Sequence, residues 1–206
     1  MKKTLATIFA VSLLGVLSAC SSPEQTAEKK EEAKPLEPRT GREAFQSMWV
    51  SARGWQHDAV PIQLKSIALP AVRADPGKSG AWQAIFVSPA AGRARTYTWC
   101  AIESEGNLHK GVFAGPDEGW SSGGSAQPFP AVALKVDSDE ALKTALAKSE
   151  EYVSKHPNTP VIFLLEQNRR FPDLSWRLLW GDSISTSDYS VYVDASTGTV
   201  LTKEKG

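Results

Sequence analysis

The sequence predicts an α+β fold, built as two tandem units of a helix followed by an antiparallel meander, after a signal peptide and a disordered linker. Three observations predict it. Arg42 to Trp55 and Ser138 to Lys155 carry apolar residues at helical spacing. Each is followed by apolar runs of strand length, separated by turns rich in Pro, Gly and Ser. The runs of the two halves also share a side-chain pattern, which reads as a diverged tandem duplication. The boundaries are 1–19 for the signal peptide, 20–40 for a lipidated cysteine and tether, 41–115 for the first unit, 116–136 for a connector and 137–206 for the second unit.

Thr4 to Leu17 is mostly Leu, Ile, Val, Phe and Ala and follows Lys2 and Lys3. It has the length of a signal-peptide core and falls short of the roughly 20 apolar residues that a bilayer core of ~30 Å requires. Leu17-Ser18-Ala19-Cys20 resembles the lipobox of bacterial lipoprotein signals. That resemblance implies cleavage before Cys20 and acylation of its sulfur, with the lipid bilayer as the first partner. Two or three acyl chains anchor stably where one is marginal. Ser21 stands where aspartate would imply inner-membrane retention, so the resemblance implies the periplasmic face of the outer membrane in a Gram-negative host. In a Gram-positive host it implies the outer face of the cell membrane. The alternative is a plain secretory signal with a chance cysteine.

Ser21 to Thr40 is almost wholly Ser, Pro, Glu, Gln, Thr, Ala, Lys and Arg, with Leu36 its only large apolar residue. Such a composition cannot bury a core and predicts a disordered tether. It would reach ~65 Å fully stretched and ~25 Å as a flexible coil.

The first 19 residues hold two lysines and no acid, which leaves 21 basic and 23 acidic side chains in the remainder. A near-neutral chain lacks the concentrated positive field that nucleic acid requires. With Cys20 lipidated, Cys100 is alone, inside the strand-like run Tyr97 to Ile102. It reads as a buried, inert thiol; the alternative is a reactive one.

In the first unit, Phe45, Met48, Trp49 and Ala52 share one helical face, and Val60 to Leu69, Trp82 to Val87, Thr96 to Ile102 and Leu108 to Phe113 read as strands. The second opens on Asp137 and Ser138 as N-cap candidates, with Glu140 three residues after Asp137 as in a capping box. One helix is predicted from Ser138 to Lys155, stopped by His156-Pro157-Asn158. Val161 to Glu166, Trp176 to Trp180, Tyr189 to Asp194 and Thr199 to Thr202 then read as strands. Trp82, Ala84 and Phe86 alternate onto one face as Trp176, Leu178 and Trp180 do.

Trp176-Arg177-Leu178-Leu179-Trp180, followed by Tyr189 to Asp194 and Ala195-Ser196-Thr197-Gly198-Thr199-Val200-Leu201, resembles the C-terminal hairpin of PepSY-type domains. Physically, Asp194 and Ser196 can bond the backbone of the turn and Gly198 can take a positive φ. The resemblance covers Ser138 to Thr202. The first half keeps Gly106 but lacks the Asp-Ala and Thr-Gly pairs. The resemblance implies a cystatin-like helix packed across a sheet, and an envelope protein that binds or restrains a peptidase. It brings no catalytic residues.

Gly119-Trp120-Ser121-Ser122-Gly123 matches the string of a nucleophile elbow, which needs a buried strand before the serine and a helix after it. Neither flank reads as either, although Asp137 and His156 follow in the required chain order. His57, His109 and His156 are far apart with no second His or Cys at ligand spacing, so no metal is expected, and no cofactor either. Glu103, Glu105, Asp117 and Glu118 read as solvated edges, against a glycosidase pair. Trp120 lies in a Gly/Ser-rich loop and is a candidate contact residue, with a cap over the sheet as the alternative. Asp182 and Asp188, in the polar loop Gly181 to Asp188, are further candidates, and Arg169 and Arg170 could add charge complementarity.

The function expected is therefore non-enzymatic: a membrane-anchored protein-binding module, with a peptidase inhibitor or modulator as its sharp form. Sheet edges and the loops Gly115 to Pro130 and Gly181 to Asp188 would be its surface. The alternatives are an envelope scaffold or small-ligand carrier using the sheet face, and a serine hydrolase using Ser121.

Overall fold

The computed structural model describes residues 36–73 and 75–205, which belong to one compact unit. The expected signal peptide, Cys20 and most of the expected tether lie outside the described residues. The first half runs β1 (Arg39–Thr40), α1 (Gly41–Trp55), β2 (Val60–Ile67), β3 (Lys78–Ser79), β4 (Ala81–Ser88), β5 (Arg93–Cys100) and β6 (Gly111–Gly119). The second runs β7 (Ala126–Gln127), a 3₁₀ turn at Ala131–Ala133, α2 (Ser138–Ala147), α3 (Glu150–Lys155), β8 (Val161–Asn168), β9 (Ser175–Trp180), β10 (Tyr189–Asp194) and β11 (Val200–Lys205). The fold is α+β, helices against an antiparallel sheet.

Both halves contribute to one sheet, in the order β11-β10-β9-β8-β2-β4-β5-β6. The first long strands of the halves meet antiparallel at its centre, Leu64 opposite Leu165 and Lys65 opposite Leu164. A pseudo-twofold through the Lys65 and Leu164 pair exchanges Ser66 with Leu165. Trp82 lies opposite Ser66 and Trp176 opposite Leu165, so the two tryptophans are equivalent positions. The chain separation from Trp82 to its next partner, Trp99, equals that from Trp176 to Val193. Trp82 to Gly106 spans 24 positions and Trp176 to Gly198 spans 22, so the two-residue difference sits in the turns at Gly106 (φ 72) and Gly198 (φ 76), where glycine alone takes a positive φ without penalty.

The helix starts repeat the same relation. Thr40 and Asp137 each cap a helix in a capping box, closed by Glu43 and Glu140 respectively. The indole N–H of Trp82 donates to the Arg39 carbonyl, and that of Trp176 to the Val136 carbonyl, both at 2.9 Å. Each tryptophan thus locks the residue before the N-cap onto the sheet. Ala44, Phe45, Met48 and Ala52 of α1 and Ala141, Leu142 and Ala145 of α2 enter one continuous core with Trp82, Trp99, Trp176 and Trp180. A buried tryptophan removes about 150–250 Å² from water, worth about 4–6 kcal/mol of transfer free energy before the entropy of ordering is subtracted. Cys100 is buried at the end of β5.

Three sequence boundaries are corrected. The tether ends earlier than residue 40, because Leu36 N–H donates to the Ala101 carbonyl at 2.8 Å and Arg39–Thr40 pairs with Lys78–Ser79. Arg39 also lies over the Trp99 ring and reaches Ser47 Oγ at 2.8 Å, an aromatic and a hydroxyl that its composition alone could not reveal. The connector begins after Gly119, because Arg95 and Arg93 hold Asp117 and extend β6 through a bulge at Gly115 and Pro116. The single helix expected from Ser138 to Lys155 is broken at Lys148 and Ser149.

Candidate functional site

The break between α2 and α3 has a local cause. Ser149 is 3% exposed, and its Oγ lies 3.1 Å from the buried phenol oxygen of Tyr189. Turning that hydroxyl inward takes the backbone to φ −127, ψ 15, outside the helical region. The Ser149 N–H closes back on the Leu146 carbonyl, and α3 starts afresh with Val153 N–H donating to Ser149 O at 2.9 Å. Lys203 Nζ donates to the Lys148 carbonyl at 3.2 Å, placing a cation at the C-terminal end of α2 where the helix dipole favours it.

No residue of α3 is fully buried. It is held through Tyr152 and Val153, which pack on the edge of the core. Tyr152 stacks between two rings, Tyr189 at 4.3 Å and His156 at 4.4 Å, while Trp180 meets both tyrosines edge-on. Burial raises the Tyr152 phenol above its ordinary pKa, and the charge of Asp188 and the neighbouring Tyr189 push it the same way. Pro157 excludes the helical region for His156, so the chain leaves α3 there.

This arrangement opens a recess of 650 Å³ beneath α3, bordered by Lys148, Lys155 and Lys203 with Tyr152, His156 and Asp188. A second recess of 490 Å³ shares His156 and Asp188 with it and continues past Asp182, Pro157 and Pro160. Lys155 is paired with Glu151 at 2.9 Å. No acid lies within ion-pair distance of Lys148 or Lys203 among the described residues. The far wall is the loop after β9. Gly181 (φ 149) donates to the Pro160 carbonyl, and a Cβ there would meet Ser187 Cα at 2.9 Å, so only glycine lets the loop fold back so tightly.

The candidate contact residues read from the sequence fall into three places. Asp182 and Asp188 border this groove. Arg169 and Arg170 sit at the opposite end of β9, where Arg170 pairs with Glu204 and lies over the Phe171 and Tyr192 rings. Trp120 is half-buried, its N–H donating to Gly92 O at 2.9 Å, which continues the β5–β6 hairpin. The structure does not bring the three together. Lys148, Tyr152, Lys155 and Lys203 were missed. Tyr152 falls at helical spacing within the segment Ser138 to Lys155, and only the inward Ser149 and the distant β11 make it a groove wall.

The edges of the sheet are β6 and β11. On β6 the bulge at Gly115 and Pro116 and the missing proline N–H close that stretch to strand addition. On the other edge, β11 carries Lys203 and Glu204. Ser121 is exposed after an edge strand and is followed by β7, not a helix. Glu103 follows the bend at Ala101 and Ile102, accepts from Lys110 N–H and contacts His109. Among the described residues, no helix is long and apolar enough to cross a membrane, and no group of three or more metal-ligand side chains converges.

No family model matches the chain, so the PepSY resemblance rests on the residues of the β9 to β11 hairpin. No curated protein matches it either. Among solved structures it is similar to a candidate lipoprotein from Clostridium difficile 630, with 15% identity and a TM-score of 0.46 over 85% of this chain and 97% of that one. That likeness is too distant to carry the other protein's fold or role across.

Proposed function

We propose that the chain is a lipoprotein of the cell envelope, anchored to a membrane through acylated Cys20, which acts by binding another protein and catalyses no reaction. The observation that supports the reading is the groove created by the Lys148 and Ser149 break. It is open to solvent and bordered by stacked rings and by charges of both signs, groups suited to contact with a partner. Labelled palmitate should enter the chain and be lost in Cys20→Ala. The full-length chain, crosslinked in its own membrane, should recover a defined protein. An enrichment profile equal to that of a tag-only control sinks the reading. A peptidase is the partner class that the PepSY resemblance points to, and the direct assay is peptide hydrolysis by the recovered protein with and without the chain.

A second reading, a carrier of a small apolar ligand, is favoured by one feature. A slot of 350 Å³ lies between the segment after β2 and the start of β8, lined by Leu69, Val72, Val161, Ile162 and Phe163. Native mass spectrometry of the purified protein tests it, since a retained ligand would add a fixed mass. The hydrolase reading through Ser121 stands or falls on ester turnover that vanishes in Ser121→Ala.

A further inference from the structure

The groove beneath α3 changes sign along its length. At the end bounded by α2 and β11, Lys148, Lys155 and Lys203 outnumber the acids, which are Glu151, paired with Lys155, and Asp188, shared with the other end. Past His156 it is bordered by Asp182 and Asp188 and contains no lysine or arginine. Between the two ends stands the ring stack, with the exposed His156 imidazole as its outermost member on Tyr152 and Tyr189. The recesses join at His156 and Asp188, which line both.

A ligand that fits must carry complementary charges at two separated points and a flat group between them. A neutral sugar would leave both charged ends unmatched. The head group of an anionic lipid would meet Asp182 and Asp188 with like charge, which is repulsive at these ranges. An extended polypeptide satisfies all three demands at once. Its alternate side chains project to the same side about 7 Å apart, so positions i−2, i and i+2 can present an acid, a ring and a base to one surface. From the sign reversal and the aromatic middle we infer that the groove takes a short extended segment of a partner protein in which an acidic and a basic side chain flank a flat aromatic one. The inference deepens the protein-binding reading and rests on it. The three contacts are made by side chains, so this mode needs no backbone pairing to β6 or β11.

Selection from a displayed random-peptide library on the full-length chain in detergent micelles tests it whatever the partner is. Enriched peptides should carry an aromatic residue with an acid two positions to one side and a base two positions to the other. In Asp182→Asn/Asp188→Asn the preference for the base should vanish while that for the acid persists. In Lys148→Gln/Lys155→Gln the reverse should hold. All four residues are exposed, so these changes leave the core untouched. For a synthetic peptide of the selected sequence, each double variant should weaken binding by about fivefold, the scale of exposed charge pairs. No enrichment over blank micelles overturns the inference, as does a charge preference that stays the same in both variants. If the display fails while crosslinking still recovers a protein, the groove assignment is overturned and the protein-binding reading stands. If both fail, neither survives.

Discussion

Trp82 and Trp176 meet edge to face at the centre of the core, ring centroids 6.3 Å apart and planes 68° apart. They occupy equivalent places about the pseudo-twofold, and each donates its indole N–H to the carbonyl just before a helix N-cap. Phenylalanine at either position keeps a ring in the core but removes that donor and leaves a carbonyl without its partner. Trp82→Phe and Trp176→Phe should each cost about 1–3 kcal/mol. Because the two rings touch, the double variant should deviate from additivity. Urea unfolding of the three variants measures this, and a cost confined to one of the pair would contradict the equivalence.

Gly41, the first residue of α1, lies against both rings. A Cβ there would stand 2.6 Å from Trp176 Cη2 and 3.2 Å from Trp82 Cη2. Ring atoms held by two indole hydrogen bonds cannot swing aside freely. Gly41→Ala should therefore destabilise by about 1–3 kcal/mol through overpacking, although alanine is the better helix former. Gly54, near the other end of the same helix, meets nothing within 4 Å. Gly54→Ala should stabilise by about 0.4–1 kcal/mol. Opposite signs for two identical substitutions in one helix make a sharp comparison by thermal melting.

Much of this was legible in the chain. Alternation of Trp82, Ala84 and Phe86, and of Trp176, Leu178 and Trp180, placed those side chains in the core, because a strand facing helices on one side must alternate. The Asp137 to Glu140 box marked the start of α2, and the same spacing at Thr40 to Glu43 was equally readable two residues before the expected helix. What could not be read depends on contacts distant in sequence. Nothing local predicts that Leu36 bonds Ala101, or that Ser149 reaches Tyr189 and thereby breaks a segment with continuous helical spacing. The groove inherits that opacity, since its lysines come from the α2–α3 junction, α3 and β11.

Two carboxylates, the half-buried Asp58 and the exposed Glu103, link stability to acid. Asp58 is held below its ordinary pKa near 3.8 chiefly by the Ser88 hydroxyl, then by Ala90 N–H. Glu103 is held below 4.5 chiefly by Lys110 N–H, then by the His109 side chain. A carboxylate whose pKa is lower folded than unfolded contributes stability that is fully present above the unfolded value and lost as pH falls through the folded one. The melting temperature should therefore decline below about pH 4, and the decline should be shallower in Asp58→Asn and in Glu103→Gln than in the parent. Parallel acid limbs in all three proteins would remove these two groups from the account.

The Ser149 and Tyr189 contact carries the last expectation, because it is what separates α2 from α3. Ser149→Ala strips the buried phenol of its partner, and Tyr189→Phe strips the buried serine, so each should cost about 1–3 kcal/mol. Removing both groups leaves nothing unpaired, and the double variant should be no less stable than the worse single one, with a coupling energy of about 1 kcal/mol. Alanine at 149 also frees the backbone from an inward side-chain bond and favours helix. Ser149→Ala should therefore draw Lys148 and Ser149 toward a continuous helix, lifting Tyr152 from between Tyr189 and His156 and narrowing the recess. Amide exchange over residues 148–156 reads that rearrangement directly. Slower exchange at the junction together with altered Tyr189 ring shifts is the expected pair, and an unchanged junction would show that some other constraint breaks the helix.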